Sequence, residues 1–261
     1  IVFKEIVMKA CILASGSKGN STYIETENHR ILLDMGKNKK YIEESLKKIN
    51  VDPNSIDIIL ISHLHTDHTS ALLSFIKKKN ITVCMPEEMF LEVPDLKDYD
   101  HIKIYDDEIV FDELKIYAIK SSHDAVASRN FIFEDETGSV VQITDTGYIR
   151  SKYFNLLKNR DVYFIESNHD VEMLTHGPYP DWLQKRVLSD EGHLSNISCG
   201  FYLAKLIGPS TKKVYLMHLS EVNNTPEIAL KTVFATLEEY SVSFNDIKCA
   251  KQDEISEVIT L

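Results

Sequence analysis

Apolar residues recur along this chain in two rhythms. From residue 9 the runs KACILAS, STYIETE and RILLDMG are short, parted by the GSKGN loop and an Asn-His turn, and they predict three strands. Residues 38–50, NKKYIEESLKKIN, change period, with Tyr41, Ile42, Leu46 and Ile49 on one helical face. IDIILIS (56–62) is apolar at almost every position, as expected of a strand covered on both sides. A helix is predicted over 68–79, then the strand ITVCMP. Residues 102–147 alternate between turn signals and predict mostly strands. Beyond them come helix 148–159, strand DVYFIES, a helix around 181–189, helix 195–207, strand KVYLMHLS, helix 225–240 and a strand near 245–251.

This order predicts an α/β fold in which two sheets pack face to face with helices outside, a four-layer αββα sandwich. With 261 residues and no repeat, low-complexity segment or linker, one domain over 1–261 is expected. Met8 opens the first strand, so residues 1–7 read as an N-terminal extension or a cloning remnant. The opening IVFKEIVMKACILAS has too short an apolar core, and no small-residue cleavage site, for a signal peptide. No apolar run nears the roughly 18 residues that span a bilayer, so no membrane partner is expected. Cys11, Cys84, Cys199 and Cys249 lie far apart and form no C-x-x-C pair, which fits a cytoplasmic location.

Candidate chemistry centres on ISHLHTDHTS, which places His63, His65, Asp67 and His68 within six positions. Three more candidate ligands close predicted strands: His123 in IYAIKSSH, Asp145 in VVQITDTG and His218 in KVYLMHLS. A lone strand-end histidine is more often a packing or surface residue. Here all three follow one grammar, and open α/β sheets gather ligands beyond the carboxyl ends of their strands. Seven nitrogen and oxygen donors are too many for one tetrahedral ion. They suit two divalent ions about 3.5–4 Å apart that share a carboxylate. Histidine with carboxylate accepts zinc, manganese or iron(II).

HLHTDH followed in order by His123, Asp145 and His218 resembles the metallo-β-lactamase superfamily over nearly the whole chain. The resemblance implies the αββα fold, with His63, His65 and His123 on one ion, Asp67, His68 and His218 on the other, and Asp145 bridging. His65 stands where the flavodiiron members carry Glu, which disfavours reduction of oxygen or nitric oxide. A ligand set without Cys disfavours a secreted antibiotic-degrading lactamase.

ASGSKGN (14–20), SSHDA (121–125), TDTGY (144–148), ESNHD (166–170), YPDWLQKRVLSDEGHLSN (179–196) and HLSEVNNTPE (218–227) resemble a narrower branch, the exonuclease-like YycJ/WalJ-like group. That likeness implies a phosphodiester hydrolase whose partner is nucleic acid, DNA ahead of RNA. His193 matches the Gly-His pair of tRNA-processing relatives and is expected to protonate the leaving group, with Glu166 as its acidic partner. Asp67 is expected to orient water or take its proton. His169 is divided between a substrate-phosphate contact and a buried hydrogen-bonded role. Ser17 and Asn20 of GSKGN are candidate substrate contacts, although a tight turn explains the glycines equally well. Asp34 is expected to support a metal-bound histidine from behind. Tyr179 and Trp182 could stack on bases, but packing is the favoured reading.

A net charge of −11 argues against a broadly basic nucleic-acid-coating surface. Lys37, Lys39, Lys40, the run 77–79, and Lys185 with Arg186 are the local exceptions, each explained as readily by a solvated face. A small-molecule hydrolase acting on a cyclic phosphodiester, thioester or lactone is the alternative on the same metals. A metal-stabilised binding module is disfavoured by the intact donor set.

Overall fold

The computed structural model describes residues 7–77 and 79–261. The first half of the chain forms β1 (Lys9–Ala14), β2 (Ser21–Glu25), β3 (Arg30–Leu33), α1 (Lys39–Lys48), β4 (Ile58–Leu60), α2 (Thr66–Thr69), α3 (Leu72–Ile76), β5 (Thr82–Met85), α4 (Glu87–Leu91) and β6 (Ile102–Ile104). The second half forms β7 (Glu108–Phe111), β8 (Leu114–Lys120), β9 (Arg129–Glu134), β10 (Ser139–Ile143), α5 (Phe154–Leu157), β11 (Val162–Glu166), α6 (Val171–Thr175), α7 (Asp181–Val187), α8 (Asn196–Leu206), β12 (Lys213–Met217), α9 (Pro226–Glu239), β13 (Ile247–Cys249) and β14 (Ile259–Thr260).

Two sheets result, each of seven strands among the described residues. Their orders are β14-β1-β2-β3-β4-β5-β6 and β13-β12-β11-β10-β9-β8-β7. The first is antiparallel from β14 to β3 and parallel from β3 to β6. The second is antiparallel from β7 to β10 and parallel from β10 to β13. Each half therefore repeats one plan, and its parallel part carries the covering helices.

Strand periodicity sorts side chains into three apolar slabs. Ile58 and Leu60 of β4 join Val162 and Phe164 of β11 in the slab between the sheets. The alternate residues Ile59 and Ile61 join Ile42 and Leu46 of α1 and Phe75 of α3. On the other side Tyr163 and Ile165 join Leu203 of α8 and Val233 of α9. Helix, sheet, sheet and helix make the four layers, as the sequence pattern predicts.

Two predicted helices come out differently. The span 68–79 divides into α2, which starts at Thr66, and α3, which ends at Ile76. The loop after β3 causes the break: Met35 O accepts from Ala71 N at 2.9 Å, and Gly36 O accepts from Ser70 Oγ at 2.8 Å. The span 148–159 shrinks to a 3-10 turn, Ser151–Tyr153, followed by α5. Helices α4 and α6 and strand β14 are too short to announce themselves by period. The expectation for the N-terminal extension falls largely on residues 1–6, outside the described residues, as does Lys78.

Phe164 is fully buried between the sheets and meets Tyr215 edge-on, ring centroids 6.0 Å apart. Phe164→Ala is expected to lower stability by about 3–5 kcal/mol, the transfer cost plus that of the cavity left behind. Denaturant unfolding measures it, and a loss under 1 kcal/mol would show that the sheets collapse into the gap.

Candidate metal centre

The carboxyl ends of strands from both sheets meet at one edge of the sandwich. Asp34 follows β3, His63 follows β4, His123 follows β8, Asp145 follows β10, Glu166 ends β11, and His218 follows β12. Three of these residues hold left-handed backbone: Asp34 at φ 64°, Asp145 at φ 54° and His218 at φ 54°. Such a conformation costs a non-glycine residue about 1 kcal/mol or more. It turns each side chain sharply off its strand into a common space. Gly36 keeps that space tight from the other direction, since a Cβ there would lie 1.6 Å from Asp67 O.

The predicted donors converge in two groups. His65 Nδ1 lies 3.1 Å from His63 Nε2 and 3.3 Å from His123 Nε2. A tetrahedral ion with bonds of about 2.0–2.1 Å has ligand edges of about 3.3–3.4 Å, so these three nitrogens fit one. In the second group Asp67 Oδ2 lies 3.6 Å from His68 Nε2 and 3.8 Å from His218 Nε2. Asp145 stands between them, with Oδ2 3.3 Å from His68 Nε2 and Oδ1 3.9 Å from His123 Nε2. Within each of the sets His63–His65–His123, Asp67–His68–His218 and His63–His68–Asp145, the donor atoms are close enough to hold an ion.

The far sides of the rings support the same orientation. His68 Nδ1 donates to Asp34 Oδ2 at 2.8 Å, and His218 Nδ1 donates to Glu166 Oε1 at 2.9 Å. His123 Nδ1 donates to Glu191 O at 3.1 Å. The Ser62 hydroxyl donates to Asp34 Oδ2 at 2.8 Å and sits 3.0 Å from His63 Nδ1, which can donate to it. With Nδ1 engaged from behind, each ring turns Nε2 toward the site, the arrangement metal-binding histidines adopt. His218 Nε2 and Asp145 Oδ2 are buried without a hydrogen-bond partner, a costly state that a cation would relieve.

Electrostatics in the metal-free chain divide the histidines. Burial pushes His63 and His123 below the ordinary range. Burial would also lower His68, yet the charges of Asp34 and Asp145 push it up to about 10. His218 rises well above its ordinary value against burial, through Asp145, Asp67 and Glu166. Burial alone would raise Asp67 and Asp145, and the neighbouring histidines instead hold both below the carboxylate range. Protons thus occupy part of the space in which cations fit, and cation binding would displace them.

Other predicted residues take unequal places. His193 is partly exposed, and its Nδ1 donates to Glu166 Oε1 at 2.7 Å. Burial would lower His193, but the Glu166 charge and hydrogen bond raise it. Glu166 itself is fully buried, and its Oε2 accepts from Thr146 N and Leu194 N at 3.1 Å. Its Oε1 meets the site through His193 and His218, and Asp145, Glu166, His193 and His218 also form a donor group close enough to hold an ion. Asn20 is also buried, its amide Nδ2 3.3 Å from Asp67 Oδ2 and 2.9 Å from His68 Nε2. Ser17 is exposed and lines a cleft of about 480 Å³ with Lys18, Lys37, Thr66, Asp67 and Ser70. His169 is buried, neither ring nitrogen has a partner, and burial pushes it down to about 4.

Sequence reasoning missed Ser62 and Asp124. Asp124 Oδ1 lies 3.8 Å from His65 Nε2 and 3.6 Å from His123 Nε2, while its Oδ2 accepts from Arg186 Nε at 2.6 Å. Their adjacency to His63 and His123 was the only available signal. Also unforeseen is a buried amide pair, Asn196 with Asn224, joined by Ser167 Oγ at 2.6 Å from Asn196 Oδ1. It ties the loops carrying Glu166, His193 and His218 together.

The layered fold and the two-group edge site define a class. Residues 14–184 match the family model of the metallo-beta-lactamase superfamily, and the chain belongs to that superfamily. It is 38% identical over 236 residues to exodeoxyribonuclease WalJ of Streptococcus pneumoniae serotype 2 (strain D39 / NCTC 7466), covering 88% of each chain. It is 34% identical over 233 residues to exodeoxyribonuclease YycJ of Bacillus anthracis, covering 87% of this chain and 88% of that one. The metallo-beta-lactamase fold protein YhfI from Bacillus subtilis superposes with a TM-score of 0.72 at 15% identity, covering 97% of this chain and 99% of that one. That likeness concerns the fold alone. Among the described residues no helix is long and apolar enough to cross a membrane.

Glu166 yields a pH prediction. Its carboxyl is held at about 2, against an ordinary 4.5, since its histidine partners outweigh burial. A depressed carboxylate contributes stability above its unfolded pKa and loses it as pH falls through the folded one. In metal-free protein Glu166→Gln should cost about 3–5 kcal/mol near pH 7. The gap from wild type should close as pH falls from 4.5 toward 2. Unfolding curves across that range test this, and a pH-independent gap would remove the ionised carboxylate from the account.

Proposed function

We propose that this chain is a dinuclear metal-dependent phosphodiesterase that acts on nucleic acid, exonuclease-like, with DNA ahead of RNA. The observation that carries the reading is the pair of three-donor groups meeting at Asp145. The exodeoxyribonuclease names of its relatives supply the substrate class. His63, His65 and His123 would hold one divalent ion, Asp67, His68 and His218 a second, and Asp145 would touch both. Zinc, manganese and iron(II) all suit this donor set. When bound, such a pair supplies Lewis acidity toward phosphate oxygens and lowers the pKa of water at the site.

The chain's own groups do the remaining work. Asp67 is the donor carboxylate most open to the cleft, with a side chain 24% exposed, and it can orient a water and accept its proton. His193 is charged more readily than a free histidine because Glu166 stands behind it. It can hold a proton for the leaving oxygen, which departs as a strong base from a nucleotide. Ser17 in the cleft beside Asp67 is a candidate substrate contact, and buried Asn20 would act through Asp67 and His68. His169 is a third candidate, its free ring nitrogens supporting a phosphate or water contact.

The metal assignment predicts about two equivalents of Mn²⁺ or Zn²⁺ per chain by elemental analysis after equilibrium loading. Asp145→Asn should reduce that content and suppress hydrolysis of oligonucleotides and p-nitrophenyl phosphodiesters alike. Content that never exceeds one equivalent would overturn the dinuclear reading.

The acid assignment predicts a different pattern. His193→Ala should keep its metal and slow oligonucleotide hydrolysis by about 10²–10⁴-fold. The loss should shrink on bis-p-nitrophenyl phosphate, whose leaving group departs without a proton. Equal losses on both substrates would exclude His193 as the acid. Oligonucleotides that stay intact with every metal, beside a cleaved thioester or lactone, would favour a small-molecule hydrolase.

A further inference from the structure

Helix α7 overhangs the His65–His123 side of the metal centre. Its Arg186 reaches Asp124, whose other oxygen lies within 4 Å of both histidines. The helix is fixed there from several directions. Val187 is buried, and its carbonyl accepts from His193 N at 3.0 Å. The turn that follows gives Glu191 O to His123 Nδ1. Gly147 admits that turn, since a Cβ there would lie 2.3 Å from Asp190 O.

One helical turn before Arg186, on the same face, stands Trp182, the chain's only tryptophan and 66% exposed. Its ring is therefore outside the core. Val126 and Leu188, each two residues from the Asp124–Arg186 pair, are also exposed, at 47% and 45%. A single exposed apolar residue means little. Here a large flat ring sits one helical turn from a guanidinium that Asp124 holds beside His65 and His123, at the rim of the donor cluster. A flat apolar face with a half-exposed guanidinium plane beside it matches the chemistry of a nucleotide base.

We propose that Trp182, with Arg186 beside it, is a stacking platform for an unpaired base next to the scissile phosphate. The substrate class is thereby single-stranded nucleic acid or the frayed end of a duplex, because a base stacked within a helix offers no free face. This rests on the nucleic-acid reading above.

The sole tryptophan reports on its own role. Holo protein is titrated with phosphorothioate-linked oligodeoxythymidylate, which resists cleavage, while emission from Trp182 and anisotropy of a labelled strand are followed. Saturable quenching should track binding. Trp182→Ala should weaken single-strand binding by roughly 5- to 100-fold, with metal content maintained. On cleavable strands that loss should fall on KM more than on kcat. Trp182→Phe should recover most of the affinity, and a blunt duplex should lose less than a single strand. Binding without any change in emission would overturn the proposal, as would equal affinity in Trp182→Ala or no binding of single strands at all. Failure of the nuclease reading shows separately, as intact unmodified DNA and RNA with wild-type enzyme.

Discussion

Two fully buried carboxylates, Asp34 and Glu166, set the geometry of the site, one from each sheet. An ionised carboxylate taken out of water costs several kcal/mol unless its oxygens are filled with donors. Asp34 fills them with Ser62 N, Ser62 Oγ and His68 Nδ1. Glu166 fills them with His193 Nδ1, His218 Nδ1 and the amides of Thr146 and Leu194. The requirement works in both directions. Each carboxylate is tolerable only because those donors are present, and each imidazole so engaged has its other nitrogen directed away from the carboxylate. A choice of tautomer that solution leaves open is thus fixed by burial.

The same bonds join loops that the chain keeps far apart. Glu166 ends β11, yet its partners come from the loops after β10, before α8 and after β12. Asp34 joins the end of β3 to the end of β4. Left-handed backbone at Asp34, Asp145 and His218 is unfavourable locally, and a floppy loop would relax it. Here the hydrogen bonds to buried carboxylates and the Asn196–Asn224 pair hold these loops in place. The strain then serves preorganisation, since the donors already stand near ligand spacing.

The layers were legible because strand and helix periods differ and the central strands are apolar on both faces, as in IDIILIS. The donor residues were legible because HLHTDH is dense and the others close strands. The relation of Glu166 to His193 followed from family likeness, but its second bond, to His218, did not. No spacing in sequence encodes a contact between residues 52 positions apart. Asn20 looked like a loop contact because a glycine-rich loop implies exposure, whereas Gly16 and Gly19 fold the loop over and bury it. The helix expected over 68–79 failed for a similar reason. Carbonyls of Met35 and Gly36 compete for Ser70 and Ala71, and tertiary contact overrides local propensity.

Charge is the remaining constraint. The chain carries −11, and three cations near the centre are paired with carboxylates: Lys18 with Glu221, Lys37 with Asp253, Arg186 with Asp124. On the proposed reading, these paired side chains give a polyanion little net attraction. Most of it has to come from the centre itself, where two divalent ions would bring +4 against the negative charges of Asp67 and Asp145. Such a field is local and decays within a Debye length of about 10 Å, so it favours the phosphates nearest the donors over a long stretch of backbone. An acidic protein with one concentrated positive point, rather than a basic groove, is suited to holding the few nucleotides at a strand end, which is where an exonuclease works.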